Sequence, residues 1–124
     1  MTAYEGLTRA CRLEDEIFCE QEQLALLRSI SDTRKTEDII IWIVDLEREI
    51  DDGIRRLGVL KKEIGQMIRR IPDSQYRMLL RLRYLCRWPW RKIAAKMNYS
   101  GGHVYRIHKR ALAEYDRLLK EDTK

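Results

Sequence analysis

The residues of this sequence best suited to recognition chemistry are cations in its last third: Lys92, Arg106, Lys109 and Arg110. A guanidinium such as that of Arg106 can bridge O6 and N7 of guanine in a major groove, a contact worth ~1–3 kcal/mol of discrimination. Lys92, Lys109 and Arg110 suit phosphates, which fix docking geometry without reading sequence. Ser100, Gly101, Gly102, His103 and Tyr105 complete this outward-facing set. Gly101-Gly102 either let backbone amides approach a phosphate or only relax the turn. Catalysis has no comparable set. No Ser/His/acid arrangement, glycine-rich phosphate loop or carboxylate pair is suitably spaced, so neither an enzyme nor a cofactor is expected. His103 and His108 stand five apart, off any shared helical face, which argues against a metal pair. His103 is simplest as a surface or phosphate-contacting side chain.

What would position these side chains is a pair of short helices. Ile93-Ala94, Met97, Val104 and Ile107 form one buried side if Ala94 marks the crossing, and Asn98 tolerates the positive φ that the turn needs. This spacing predicts a helix-turn-helix, whose second helix enters a major groove of double-stranded DNA. Ser100 is a suitable N-cap for that helix, predicted over 100–119. Val104, Ile107, Ala111, Tyr115 and Leu118 form its inner stripe.

Charge agrees with this placement. The 124-residue chain carries a net +5, but residues 1–68 hold 10 Lys/Arg against 15 Asp/Glu while residues 69–124 hold 15 against 5. Clustered cations around a groove-reading element are what counterion release from nucleic acid requires. The longest apolar run, Ile39 to Val44, falls far short of the ~20 residues of a bilayer span. No basic leader precedes a hydrophobic stretch, so the expected location is the cytoplasm, with no membrane partner.

The fold is expected to be all-α. Apolar residues from Leu7 to Ile30 recur at Ala10, Leu13, Ile17, Leu24 and Leu27, predicting a first helix. After the apolar-free segment Ser31–Thr36, the Thr36 hydroxyl and the acids Glu37 and Asp38 mark the start of a second. Its seam runs Ile39, Ile43, Leu46, Ile50, Gly53, Leu57, Leu60, Ile64, Met67 and Ile71 over ~50 Å. The first helix, read as shorter by about a third, folds back on it as an antiparallel hairpin. The surplus seam, with Ile40, Ile41, Trp42 and Val44, points to a homodimer through Ile39, Ile43, Leu46, Ile50, Leu57, Leu60 and Ile64. Gly53 on the seam either permits close helix approach or only weakens the helix.

Ile71-Pro72-Asp73 ends the long helix, dividing an assembly region at 1–71 from a binding domain at 72–124. Helix three follows, with Tyr76, Leu79, Leu82 and Leu85 or Cys86 as its apolar face. Arg77, Arg81, Arg83 and Arg87 lie elsewhere on it, available to DNA backbone or a protein partner. Trp90 reads as a core plug, and Trp88 as either core plug or stacking surface. Cys11, Cys19 and Cys86 lack a CxxC pair and are expected as buried or half-buried free thiols.

The segment Ile71-Pro-Asp through Arg-Leu-Arg-Tyr-Leu85, then Trp90-Arg-Lys-Ile-Ala-Ala-Lys-Met-Asn-Tyr-Ser100 and Val104-Tyr-Arg-Ile-His-Lys-Arg-Ala-Leu112, resembles region 4 of sigma-70-type factors. It is most similar to small phage and prophage regulators of the ArpU/RinA kind, including a family of unassigned function alike over almost the whole chain. Asp45-Leu-Glu-Arg-Glu-Ile-Asp51 supports the match. The resemblance implies activation of late or packaging genes by promoter binding, with host RNA polymerase as a further partner. It puts base readers at Gly101, Gly102 and Arg106 and backbone contacts near His103, Tyr105 and Lys92. Two of those readers are glycine here, which concentrates the readout on Arg106. The chain has no room for the sigma region that opens the −10 element. Rival readings are a small terminase-like packaging protein and a polymerase-binding module with little DNA contact.

Overall fold

A computed structural model describes residues 1–34 and 36–123; Lys35, in the expected interhelical connection, lies outside them. The chain is all-α, as expected. Helix α1 spans Ala3–Thr33, α2 Glu37–Arg69, α3 Ser74–Leu80, α4 Trp90–Met97 and α5 Gly101–Asp122, and α3 continues into a π-helical turn at Arg81–Leu85. Among the described residues, no helix is long and apolar enough to cross a membrane.

Helix α1 is longer than expected, at 31 residues against 33 for α2. Its start lies in a signal at the very N-terminus: Thr2-Ala-Tyr-Glu5 has the spacing of a capping box, and the Thr2 hydroxyl accepts from the Glu5 N–H at 3.2 Å. The first turn is also anchored by sequence-distant packing, since the Ala3 N–H donates to Asp116 at 2.6 Å.

Packing divides the chain into two compact units, one formed by Met1–Cys11 with Leu60–Lys124 and the other by Arg12–Val59. This differs from a division at Ile71, because the last turns of α2 and the first turns of α1 both belong to the C-terminal core. In the Arg12–Val59 unit the two helices lie antiparallel. Ile17, Leu24, Leu27, Leu46 and Ile50 are buried, with Leu13, Ile43 and Leu57 packed against them. Gly53 answers the question its position raised: a Cβ there would lie 3.1 Å from Cγ1 of Ile17, so the missing side chain permits close approach.

The other unit buries Ala3, Leu7 and Ala10 against Ile64, Ile68 and Ile71 of α2, Leu79 and Leu80 of α3, Ile93 of α4, and the α5 stripe. The seam expected to join two copies is therefore used within the chain. Leu46, Ile50 and Ile64 are only 4%, 5% and 6% exposed. Ile43, Leu57 and Leu60 are partly covered by the same two clusters, and Ile39 is half-buried. The physical reason is that the end of the seam packs in one core with the start of α1 and with α3, α4 and α5, while its middle packs with Ile17, Leu24 and Leu27. Ile40, Ile41, Trp42 and Val44 remain exposed.

Helix α2 stops before Pro72, and Asp73 caps α3 by accepting from the Gln75 and Tyr76 N–H groups at 2.8 and 3.2 Å. The π turn after Leu80 widens the chain path. Cys86 N–H reaches back to Arg81 and Trp88 N–H to Leu82, at 2.9 and 2.8 Å, across Arg87, whose φ of 61° ends the helix. Cys11 is half-buried as expected, but Cys19 and Cys86 are exposed, because Cys19 falls outside the α1 apolar stripe and Cys86 stands at the open end of the π turn.

Candidate nucleic-acid interface

Helices α4 and α5 and the turn between them have the predicted helix-turn-helix connection. Asn98 adopts φ 59°, ψ 41°, and its N–H bonds to the carbonyls of Ala94 and Ala95. The next N–H, of Tyr99, also returns to Ala94, at 3.0 Å. An asparagine suits this left-handed residue because its short polar side chain tolerates positive φ. Ser100 then caps α5, its hydroxyl accepting from the His103 N–H at 3.2 Å. Ile93 is fully buried, Val104 and Ile107 each 3% exposed, and Ala94 and Met97 pack half-buried against the same core. All five residues of the α5 inner stripe are buried.

The opposite side of α5 is open. Gly101, Gly102, Tyr105, Arg106, Lys109 and Arg110 are exposed, as are Lys92 on α4 and Ser100 at the cap. His103 is half-buried and stacks on Tyr99 with ring centroids 4.2 Å apart. Lys92 and Lys109 stand over aromatic rings, Trp88 at 3.9 Å and Tyr105 at 5.2 Å, which restrains these cations while leaving their charge in solvent. Neither glycine has positive φ, so the turn does not require them. Nothing lies within 4 Å of a Cβ built on Gly101, and the nearest atom at Gly102 is Nη1 of Arg106 at 3.8 Å. The pair leaves bare backbone at the start of α5.

The arginines of α3 and its π turn play a different part from the one expected. Arg77 donates to the carbonyls of Ile71 and Pro72, at 2.6 and 2.7 Å. Arg83 donates to Trp88 at 3.1 Å and lies over the Trp90 ring, while Arg87 donates to the Cys11 carbonyl at 3.1 Å. These guanidiniums bind main-chain carbonyls just past the end of α2, in the connection before α4 and within α1. Arg81 is half-buried.

Behind the exposed face, α5 is fastened to the π turn. The Tyr84 hydroxyl and Nε2 of His108 share a 2.6 Å hydrogen bond, and Trp90 meets the imidazole edge-on at 4.6 Å. Trp90 is thus a core plug, and Trp88 packs against the same core while its face carries Lys92. Burial, with the Arg83 charge adding to it, pushes His108 down to about 4, so the imidazole is neutral at physiological pH. Burial pushes the Tyr84 phenol up to about 12. Sequence spacing had separated His108 from His103; the Tyr84 partner has no local sequence signal.

A groove of about 730 Å³ opens beside the first turns of α5. Its walls include Tyr4 and Thr8 of α1, Arg83 and Arg87, Arg91 of α4, and Gly101 and Tyr105 of α5. Residues 29–116, more than two thirds of the chain, match the family model described as "Protein of unknown function (DUF1492)". The chain belongs to the DUF1492 family. The match takes in α2 through most of α5, so the whole helix-turn-helix lies within the DUF1492 segment. No curated protein matches the chain, and no solved structure does.

Proposed function

We propose that this DUF1492 protein is a sequence-specific double-stranded-DNA-binding transcriptional regulator of phage type, an activator of late or packaging genes. Helix α5 lies in the major groove. The observation that carries this reading is the open cationic face of α5, with Arg106, Lys109 and Arg110 exposed on a helix whose other side is wholly committed to the core. Arg106 reads base edges, while Lys92, Lys109 and Arg110 hold phosphates. The net positive charge of residues 69–124 supports the same reading. The likeness to sigma region 4 supports a role at promoters with host RNA polymerase nearby. Homodimerisation through the α2 seam is no part of this proposal, since that seam is used within the chain.

Selection of bound duplexes from a random pool tests the reading. Enrichment of a defined motif is expected, with affinity falling steeply as salt rises. Failure to enrich any sequence, together with weak salt dependence, contradicts it.

A further inference from the structure

The groove beside α5 has a composition that the helix-turn-helix alone does not require. Three arginines, Arg83, Arg87 and Arg91, line it together with the rings of Tyr4, Tyr84, Trp90 and Tyr105, and among the described residues no carboxylate lines it. Its walls come from α1, the π turn, α4 and α5. Arg83 is held by its bond to the Trp88 carbonyl and its stacking on Trp90, so this wall charge is fixed in place. Low-dielectric walls around like charges focus a positive potential into the groove. At the rim, Arg91 and Tyr4 are exposed, and bare Gly101 leaves the approach from α5 unobstructed.

We infer that the groove seats the sugar–phosphate strand flanking the base pairs read by α5, with Arg91 as its charged contact and Tyr4 as a second contact supplied by α1. The inference rests on the proposed DNA-binding reading and extends it to an element outside the helix-turn-helix. A DNA strand suits the groove because it brings the negative charge that the lining lacks, and because the groove runs directly against the helix that meets the bases. The N-terminal turn of α1 is tied to α5 by the Ala3–Asp116 hydrogen bond, so Tyr4 is carried into position by the fold. Arg91 and Tyr4 then act without regard to sequence, as backbone contacts do.

The test is fluorescence anisotropy of a labelled mixed-sequence duplex of about two helical turns, titrated with the full chain over a salt series. Wild type, Arg91→Ala, Tyr4→Ala, Arg106→Ala and Lys120→Ala are compared; Lys120 is an exposed cation at the far end of α5. Arg91→Ala is expected to weaken binding ~3–10-fold on this and any other duplex and to flatten the slope of log K against log salt by ~0.9. Tyr4→Ala is expected to weaken binding ~2–5-fold with the slope kept, as befits loss of a neutral contact. Lys120→Ala is expected to match wild type. If Arg91→Ala and Tyr4→Ala both bind like wild type while Arg106→Ala weakens binding, the strand does not lie in the groove and the inference is overturned, with α5 still the DNA reader. If the wild-type chain binds no duplex at low salt, both fail together.

Discussion

Nε2 of His108, on α5, and the hydroxyl of Tyr84, on the π turn, lie 2.6 Å apart and join α5 to the element behind it. Burial holds the imidazole neutral by pushing it down to about 4, with the Arg83 charge adding to the effect. The unfolded chain protonates this histidine near its ordinary value of ~6.5. The folded state therefore binds fewer protons, so the stabilising contribution is complete above that value and is lost as pH falls from about 6.5 toward 4. Urea unfolding at pH 7.5 and 5.0 is expected to show a loss of ~1–2 kcal/mol from this group, reduced because the ring is only partly buried. His108→Gln should be less stable than wild type at pH 7.5 and should lose less on acidification. An unchanged pH dependence in that variant would show that the imidazole is not the titrating group.

Asn98 occupies the left-handed region at φ 59°. Asn98→Gly should unfold within about 1 kcal/mol of wild type, whereas Asn98→Val should lose at least ~1–2 kcal/mol, because a β-branched side chain is strained there. Thermal or urea melts followed by circular dichroism distinguish the two. Equal melts for both variants would place the turn in another conformation.

Gly53 faces Ile17 across the antiparallel helices, and a Cβ in place of the glycine hydrogen would lie 3.1 Å from Cγ1 of Ile17. Gly53→Leu forces a large side chain against Ile17 and is expected to cost ~1–3 kcal/mol despite its better helix propensity. Ile17→Ala alone should cost ~2–5 kcal/mol through the cavity it leaves. Combined, the leucine fills part of that cavity, so the double variant should be more stable than the two single losses added together. Strict additivity would mean that the two positions do not touch.

Arg77 and Arg106 are both arginines of the basic segment, but one is bound to main-chain carbonyls and the other is exposed. Arg77 binds the carbonyls of Ile71 and Pro72, at 2.6 and 2.7 Å. Its replacement by alanine should lower stability by ~1–3 kcal/mol while leaving DNA discrimination intact. Arg106 is exposed, and Arg106→Ala should unfold within about 0.5 kcal/mol of wild type. Denaturation and DNA titration of each variant, run in parallel, check this division.

Periodicity makes the amphipathic elements legible in the sequence. The α5 stripe of Val104, Ile107, Ala111, Tyr115 and Leu118 was legible because a helix with one face committed to a core repeats every three to four residues. Asn98 and Ser100 were legible because turn and cap chemistry is local. Reach and distance were not. The end of the α2 seam looks unpartnered in sequence because nothing local says that Ile64, Ile68 and Ile71 pack in one core with α3, α4 and α5. Arg77, Arg83 and Arg87 looked like surface cations because no local pattern says that a long guanidinium will turn back to a main-chain carbonyl. The π turn and the Tyr84–His108 pair arise from packing between segments distant in sequence. At the candidate interface, the exposure of Lys92, Tyr105, Arg106, Lys109 and Arg110 followed from the helical period, whereas Arg91 and Tyr4 came into view only with the groove that brings α1 beside α5.

The most direct measurement is the affinity of wild type and Arg106→Ala for a duplex selected from a random pool and for the same duplex with one guanine of the motif replaced. Wild type is expected to prefer the selected duplex by ~1–3 kcal/mol, or ~5–150-fold, and Arg106→Ala to bind both duplexes equally while remaining folded. If Arg106→Ala keeps the full preference, α5 does not read bases through this residue, and the central claim is contradicted.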